Sequence, residues 1–165
     1  MERFTNDRNQ FVEAIENELM EYEKQKDFEH LFTYVEVPFF LRYAFSYALW
    51  FDKNNSKYFL KRKEWNAKYD HSRFDKGIYN LDRLAIIENE VSLNDTDRAY
   101  FDKVEWTLLN TIDFEGIVLD GLTCKLRIGK ENKTLVWNPD SKMNNKLKEL
   151  VYLIRNWKRK FDDFK

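Results

Sequence analysis

Apolar and polar residues alternate most regularly late in the chain. Leu122, Cys124, Leu126 and Ile128 take turns with Thr123, Lys125 and Arg127, the period of two expected of a strand with one buried face. A short polar loop at 129–132 leads to a returning strand at 134–137, and Pro139 ends the ladder. Asp120 and Gly121 stand at the entrance, where Asp can bond nearby backbone and Gly can take positive φ. Beyond it, Leu147, Leu150, Ile154, Trp157 and Phe161 recur at spacings of three and four. That rhythm predicts a long helix, capped by Asp140 or Ser141, lying against the hairpin of residues 119–137.

The same reading runs upstream. Phe11, Ile15, Leu19 and Tyr22 mark one face of a helix over 6–25, with Asn6 or Asp7 as its cap and early acids suiting the positive end of its dipole. Residues 31–37 are β-branched and aromatic, and Pro38 places a sheet edge or a strand end there. Over 41–51, Leu41, Tyr43, Phe45, Tyr47, Leu49 and Phe51 alternate with Arg42, Ala44, Ser46, Ala48 and Trp50, which predicts a strand. The turn residues at 53–56 return it as a hairpin through 57–65. Residues 66–77 are polar and read as irregular, and 78–93 as extended. Asn94 caps a middle helix whose stripe is Phe101, Val104, Leu108 and Ile112, and Gly116 helps the chain leave it. The fold class is α+β: an antiparallel sheet of about five or six strands packed against N-terminal, middle and C-terminal helices.

Composition narrows the class. The 165 residues suit a single domain over 1–165, large enough to bury roughly 70% of its unfolded surface. At 43% hydrophobic and 35% charged, the chain is too apolar for disorder. Its longest mainly apolar stretch, 37–51, contains Arg42 and is too short for a membrane span. The polar amino terminus lacks a signal-peptide pattern. Cys124 is the only cysteine, which leaves no disulfide framework and no cysteine-rich zinc module. A cytoplasmic protein is expected, with no cofactor and no metal.

Charge is uneven beneath a net value of −1. Glu13, Glu16, Glu18, Glu21, Glu23, Asp27 and Glu29 make the first segment acidic. Lys142, Lys146, Lys148, Arg155, Lys158, Arg159 and Lys160 make the last helix basic. These are two solvated helix faces, attracting one another or serving partners.

Candidate chemistry concentrates at 65–74. His71 has Asp70 and Ser72 beside it, yet neighbours in sequence do not form a triad, whose members converge from separate elements. His30 and His71 have no metal-ligand spacing. Cys124 reads as a small core residue. No phosphate-loop, dinucleotide, zinc-protease or nucleophile-elbow motif occurs. Lys61 and Arg62 lie in a strand where basic and aromatic residues interleave, a pattern that can stack single-stranded bases. The ordinary alternative is a half-buried strand with a cationic edge. No catalytic residue is assigned; the candidate binding residues are Trp65, Asp70, His71, Arg73, Lys61 and Arg62.

Residues 58–65, 70–74, the Asn94 helix and Leu119-Asp120-Gly121 leading to Trp137 together resemble small, uncharacterised bacterial α+β proteins. These share a late LDG…L.I…L.W hairpin followed by a helix. The resemblance covers roughly residues 57–160, implies a sheet-plus-helices fold and bacterial origin, and carries over no catalytic residue. The leading functional expectation is non-enzymatic protein binding, as by a bacterial immunity or inhibitor protein that occludes a toxin. A ligand- or single-stranded nucleic-acid-binding module is the alternative, and an enzyme with converging carboxylates or His71 is third.

Overall fold

The computed structural model describes residues 2–23, 26–38, 42–74, 84–110, 122–129, 133–137 and 145–162. In chain order they form α1 (Glu2–Met20), β1 (Phe28–Pro38), β2 (Phe45–Asp52), β3 (Lys57–Trp65), α2 (Ala67–Phe74), β4 (Ile86–Val91), α3 (Asp95–Phe101), α4 (Trp106–Asn110), β5 (Leu122–Ile128), β6 (Lys133–Trp137) and α5 (Asn145–Asp162). The strands make a six-stranded sheet in the order β4-β3-β2-β1-β5-β6. Every neighbouring pair is antiparallel. The α+β class follows.

Alternation divides the sheet into two apolar layers. Phe32 and Tyr34 of β1, Phe45, Tyr47 and Leu49 of β2, Leu60 of β3 and Cys124, Leu126 and Ile128 of β5 face α5. There they meet Leu147, Leu150, Val151, Ile154 and Trp157, with Phe101 and Leu109 of the middle helices. Val35, Val37 and Trp65 point the other way, against Ile15, Leu19 and Met20 of α1. Burying each such side chain stabilises the fold by roughly 1.5–3 kcal/mol. A bulge between His30 and Phe32 resets the register of β1 against β2, so Leu31 and Phe32 both join the α5 layer.

The closing unit matches its pattern: Cys124, Leu126 and Ile128 are buried, Gly129 takes φ 63° after β5, and β6 pairs back along β5. Asn94 caps α3 in a full capping box with Asp97. Expected features at Asp120, Gly121, Gly116, Ile112, Pro139, Asp140 and Ser141 lie outside the described residues.

Elsewhere the boundaries move. α1 starts at Glu2, because Glu2, Arg3 and Phe4 contain no helix breaker, so Asn6 and Asp7 sit within the helix instead of capping it. It stops at Met20, before residue 25, where Lys63 Nζ takes the carbonyls of Glu18 and Glu21. β1 lies inside the sheet, not at its edge; Pro38 ends it, beyond the last pairing with β2 at Glu36. β2 begins at Phe45 and not at 41, since Tyr43 turns its hydroxyl onto Glu36 at 2.9 Å and the Ala44 carbonyl accepts the Trp65 amide. Residues 67–74 are helical, not irregular: Asn66 Oδ1 accepts the Tyr69 amide and caps the turn. The middle helix breaks after Phe101, and Trp106 stacks on Phe32 at 5.9 Å. Leu109 is therefore buried in place of Leu108, which is 39% exposed.

Candidate functional site

The α1 face of β3 carries Lys57, Phe59, Lys61, Lys63 and Trp65, one of every two residues. α1 covers only the end of this row near Trp65, where Phe11 meets the indole edge-on at 5.5 Å. After Met20 the chain lays Tyr22 over Trp50, centroid to centroid 5.0 Å, and joins the Tyr22 hydroxyl to Ser46 Oγ at 2.8 Å. Burial of that phenol raises its pKa. Past Tyr22 the sheet opens.

The opening is a cleft of about 150 Å³ lined by Glu23, Phe28, Trp50, Phe59, Lys61 and Glu90. Phe28 and Phe59 are half-buried and meet edge-on at 5.2 Å. His30 tilts against Trp50 at 5.6 Å and bonds Thr33 Oγ1 at 2.7 Å. Its pKa is lowered by burial first and by the nearby Arg127 charge second, so the imidazole is held neutral. Lys61 pairs with Glu88 at 2.7 Å, leaving carboxylates of Glu23 and Glu90 at the aromatic floor. Exposed Glu18 and Glu21 extend the acidic surface along α1.

The acidic and basic helices do not meet. α1 and α5 pack on opposite faces of the sheet, so Glu13, Glu18 and Glu21 lie on one exposed side and Lys146, Lys148, Arg155 and Arg159 on the other. Each helix instead finds partners on its own face: Glu16 of α1 pairs with Lys125, and Lys158 and Lys146 of α5 pair with Glu36 and Glu105.

The residues singled out in the sequence are distributed rather than gathered. Trp65 is buried, and its indole N–H donates to Asp70 Oδ2 at 2.8 Å. The same oxygen accepts the Ala85 amide at 2.9 Å, so Asp70, 0% exposed, fastens α2 and the approach to β4 onto the end of β3. His71 is exposed with its ring edge-on to Trp65 at 5.4 Å, and Ser72 Oγ donates to the Tyr69 carbonyl; the three neighbours do not converge. The Arg73 side chain lies outside the described residues. Lys61 belongs to the cleft, whereas Arg62 points through the sheet to the α5 face. There it is 2% exposed, over Phe45 at 5.5 Å and paired with Glu64 at 3.2 Å. Consecutive strand residues face opposite ways, so Arg62 does not share a face with Lys61.

A second polar cluster carried no signal in the sequence. Glu36, 3% exposed, accepts the Tyr34 hydroxyl at 2.8 Å, the Tyr43 hydroxyl at 2.9 Å and Lys158 Nζ at 3.0 Å. Burial would lower the Lys158 pKa, but the Glu36 charge outweighs it and raises it. Tyr34 Oη also lies 3.4 Å from Cys124 Sγ, and burial pushes that thiol up to about 11. The donors and acceptors satisfy one another, and the cluster clamps α5 to β1.

Among the described residues no group of three or more His, Cys, Asp or Glu side chains is placed to hold a metal ion, and no helix is long and apolar enough to cross a membrane. No protein-family model, curated protein or solved structure matches this chain.

Proposed function

We propose that this chain is a non-enzymatic protein-binding domain that receives a cationic side chain of its partner in the cleft between Glu23 and Glu90. The observation that carries this reading is the combination in one cleft of a half-open aromatic floor, Phe28, Trp50 and Phe59, with carboxylates at its rim. A guanidinium is planar and weakly hydrated; it stacks on aromatic faces and bonds carboxylates through two parallel N–H groups. The acidic side of α1 adds attraction at longer range and speeds encounter with a basic surface.

An occluding role of the inhibitor or immunity type is consistent with this chemistry. Proteins that act on nucleic acid carry basic surfaces, and an acidic face seated on such a surface blocks it. The oligonucleotide reading has less support, because Arg62 is buried and Lys61 is engaged by Glu88.

The test is a titration of the full chain with a short arginine–glycine peptide, followed by backbone and indole NMR shifts. Shifts centred on Trp50, Phe59 and Glu90, reduced about tenfold in apparent affinity by Glu23→Gln with Glu90→Gln, are expected. Equal binding of a glutamate–glycine peptide, or shifts confined to the α5 face, would overturn the proposal.

A further inference from the structure

The cleft adjoins a sheet edge. Among the described residues β4 is the outermost strand on its side, and it pairs with β3. Its four inner residues are exposed, Ile87 at 47%. The strand carries no proline to block pairing along its outer side. Such an edge is a template for another extended chain.

Its side chains write a charge code. Glu88 and Glu90 project on the α1 face, since they stand opposite Lys63 and Lys61 of β3. Ile87, Asn89 and Val91 project on the other. On the inner side this acidic row is answered by lysines at alternate positions, with Lys61 bonded to Glu88 at 2.7 Å. The outer side presents the same carboxylates to whatever strand is added.

A second copy of this chain fits poorly. Antiparallel pairing keeps directly opposed residues on one face, so the two registers that overlap β4 most fully set Glu88 against Glu88 or against Glu90. Like charges directly opposite destabilise a pair. The glutamates therefore oppose self-association while favouring a complementary strand.

We infer that β4 is a strand-addition site for an extended partner segment with lysine or arginine at alternate positions and apolar residues between them. The basic residues lie opposite Glu88 and Glu90 on the cleft side, and the apolar residues lie beside Ile87 and Val91. This inference rests on the protein-binding reading, with which it shares Glu90, and adds backbone pairing to it.

The test uses the full chain and a short peptide alternating lysine with valine. A second peptide of identical sequence is N-methylated at every backbone amide, so that it keeps its charges and offers no N–H to a ladder. Slowed amide exchange along Ile86–Val91 with the first peptide, and at least about tenfold weaker binding of the second, are expected. Glu88→Gln with Glu90→Gln should weaken the first peptide by a similar factor. Equal binding of the two peptides, with shifts at Trp50 and Phe59 alone, would overturn strand addition and leave the cleft reading standing. Absence of binding by either peptide would overturn strand addition, and failure of the arginine–glycine peptide as well would remove the cleft.

Discussion

Glu36 of β1 and Lys158 of α5, 122 residues apart, meet at 3.0 Å inside a ring formed by Tyr34, Tyr43 and Phe45. The Glu36 carboxylate is almost wholly withdrawn from water, and Lys158 keeps about a quarter of its side chain exposed. A pair in such a setting is costly to break, because Lys158 and the Tyr34 and Tyr43 hydroxyls lose a shared acceptor that is itself almost wholly buried. Glu36→Ala should therefore lower unfolding stability by about 3–5 kcal/mol, read by urea denaturation. Glu36→Gln, which keeps a hydrogen-bonding group in place, should lose clearly less. Equal losses for the two would mean that the charge contributes nothing.

Asp70 predicts a different kind of loss. Its Oδ2 serves both the Trp65 indole and the Ala85 amide, so Asp70→Ala takes the acceptor from one buried and one half-buried donor. A destabilisation of about 2–4 kcal/mol is expected, with peptide binding at the cleft unchanged once the protein is folded. Loss of binding in a folded Asp70→Ala protein would show that this residue belongs to the binding surface after all.

Cys124 should be chemically quiet. Thiolate is the reactive form, and burial raises this thiol to about 11 while no part of the residue is open to solvent. At neutral pH a disulfide reagent should label Cys124 only at the rate of unfolding, and fully in denaturant. Rapid labelling of the native protein would contradict the burial.

His30 sets the direction of a pH effect. Its folded-state pKa lies below the ordinary 6.5, through burial and then Arg127. As pH falls past 6.5, the unfolded chain takes up the proton first, so stability falls. The decline ends once the pH drops below the folded-state value. His30→Gln should remove this part of the slope as pH falls through and below 6.5, measured by urea midpoints. An unchanged slope would assign the effect to other groups.

The sequence and the fold agree where local periodicity and tertiary packing ask for the same residues. β5, the turn at Gly129 and the stripe of α5 could be read directly, because each buries one face and alternation reports it. The Asn94 cap was legible for a related reason: its bonds close within four residues. α2 was missed because its anchor, Asp70, is a polar residue satisfied by a distant indole, so it counted as a loop residue in any local reading. The middle helix broke after Phe101 for a similar reason, when Trp106 found Phe32 across the chain.

The candidate surface was legible only in part. Lys61 and the acidity of α1 were visible, and Arg62 seemed to belong with Lys61 until the pleat sent the two to opposite faces. Glu23, Phe28, Trp50, Phe59 and Glu90 come from separate elements, and nothing local connects them. By itself, then, the sequence determined the two periods, the turns and caps, and the separation of acidic from basic segments. The tertiary structure decided that those segments lie on opposite sides of a sheet, that Glu36 and Lys158 clamp α5 to β1, and that an aromatic cleft opens beside the edge of β4. The physical reason is one of range: backbone propensity and capping act over a few residues, whereas burial and charge pairing are set by neighbours that only folding brings together.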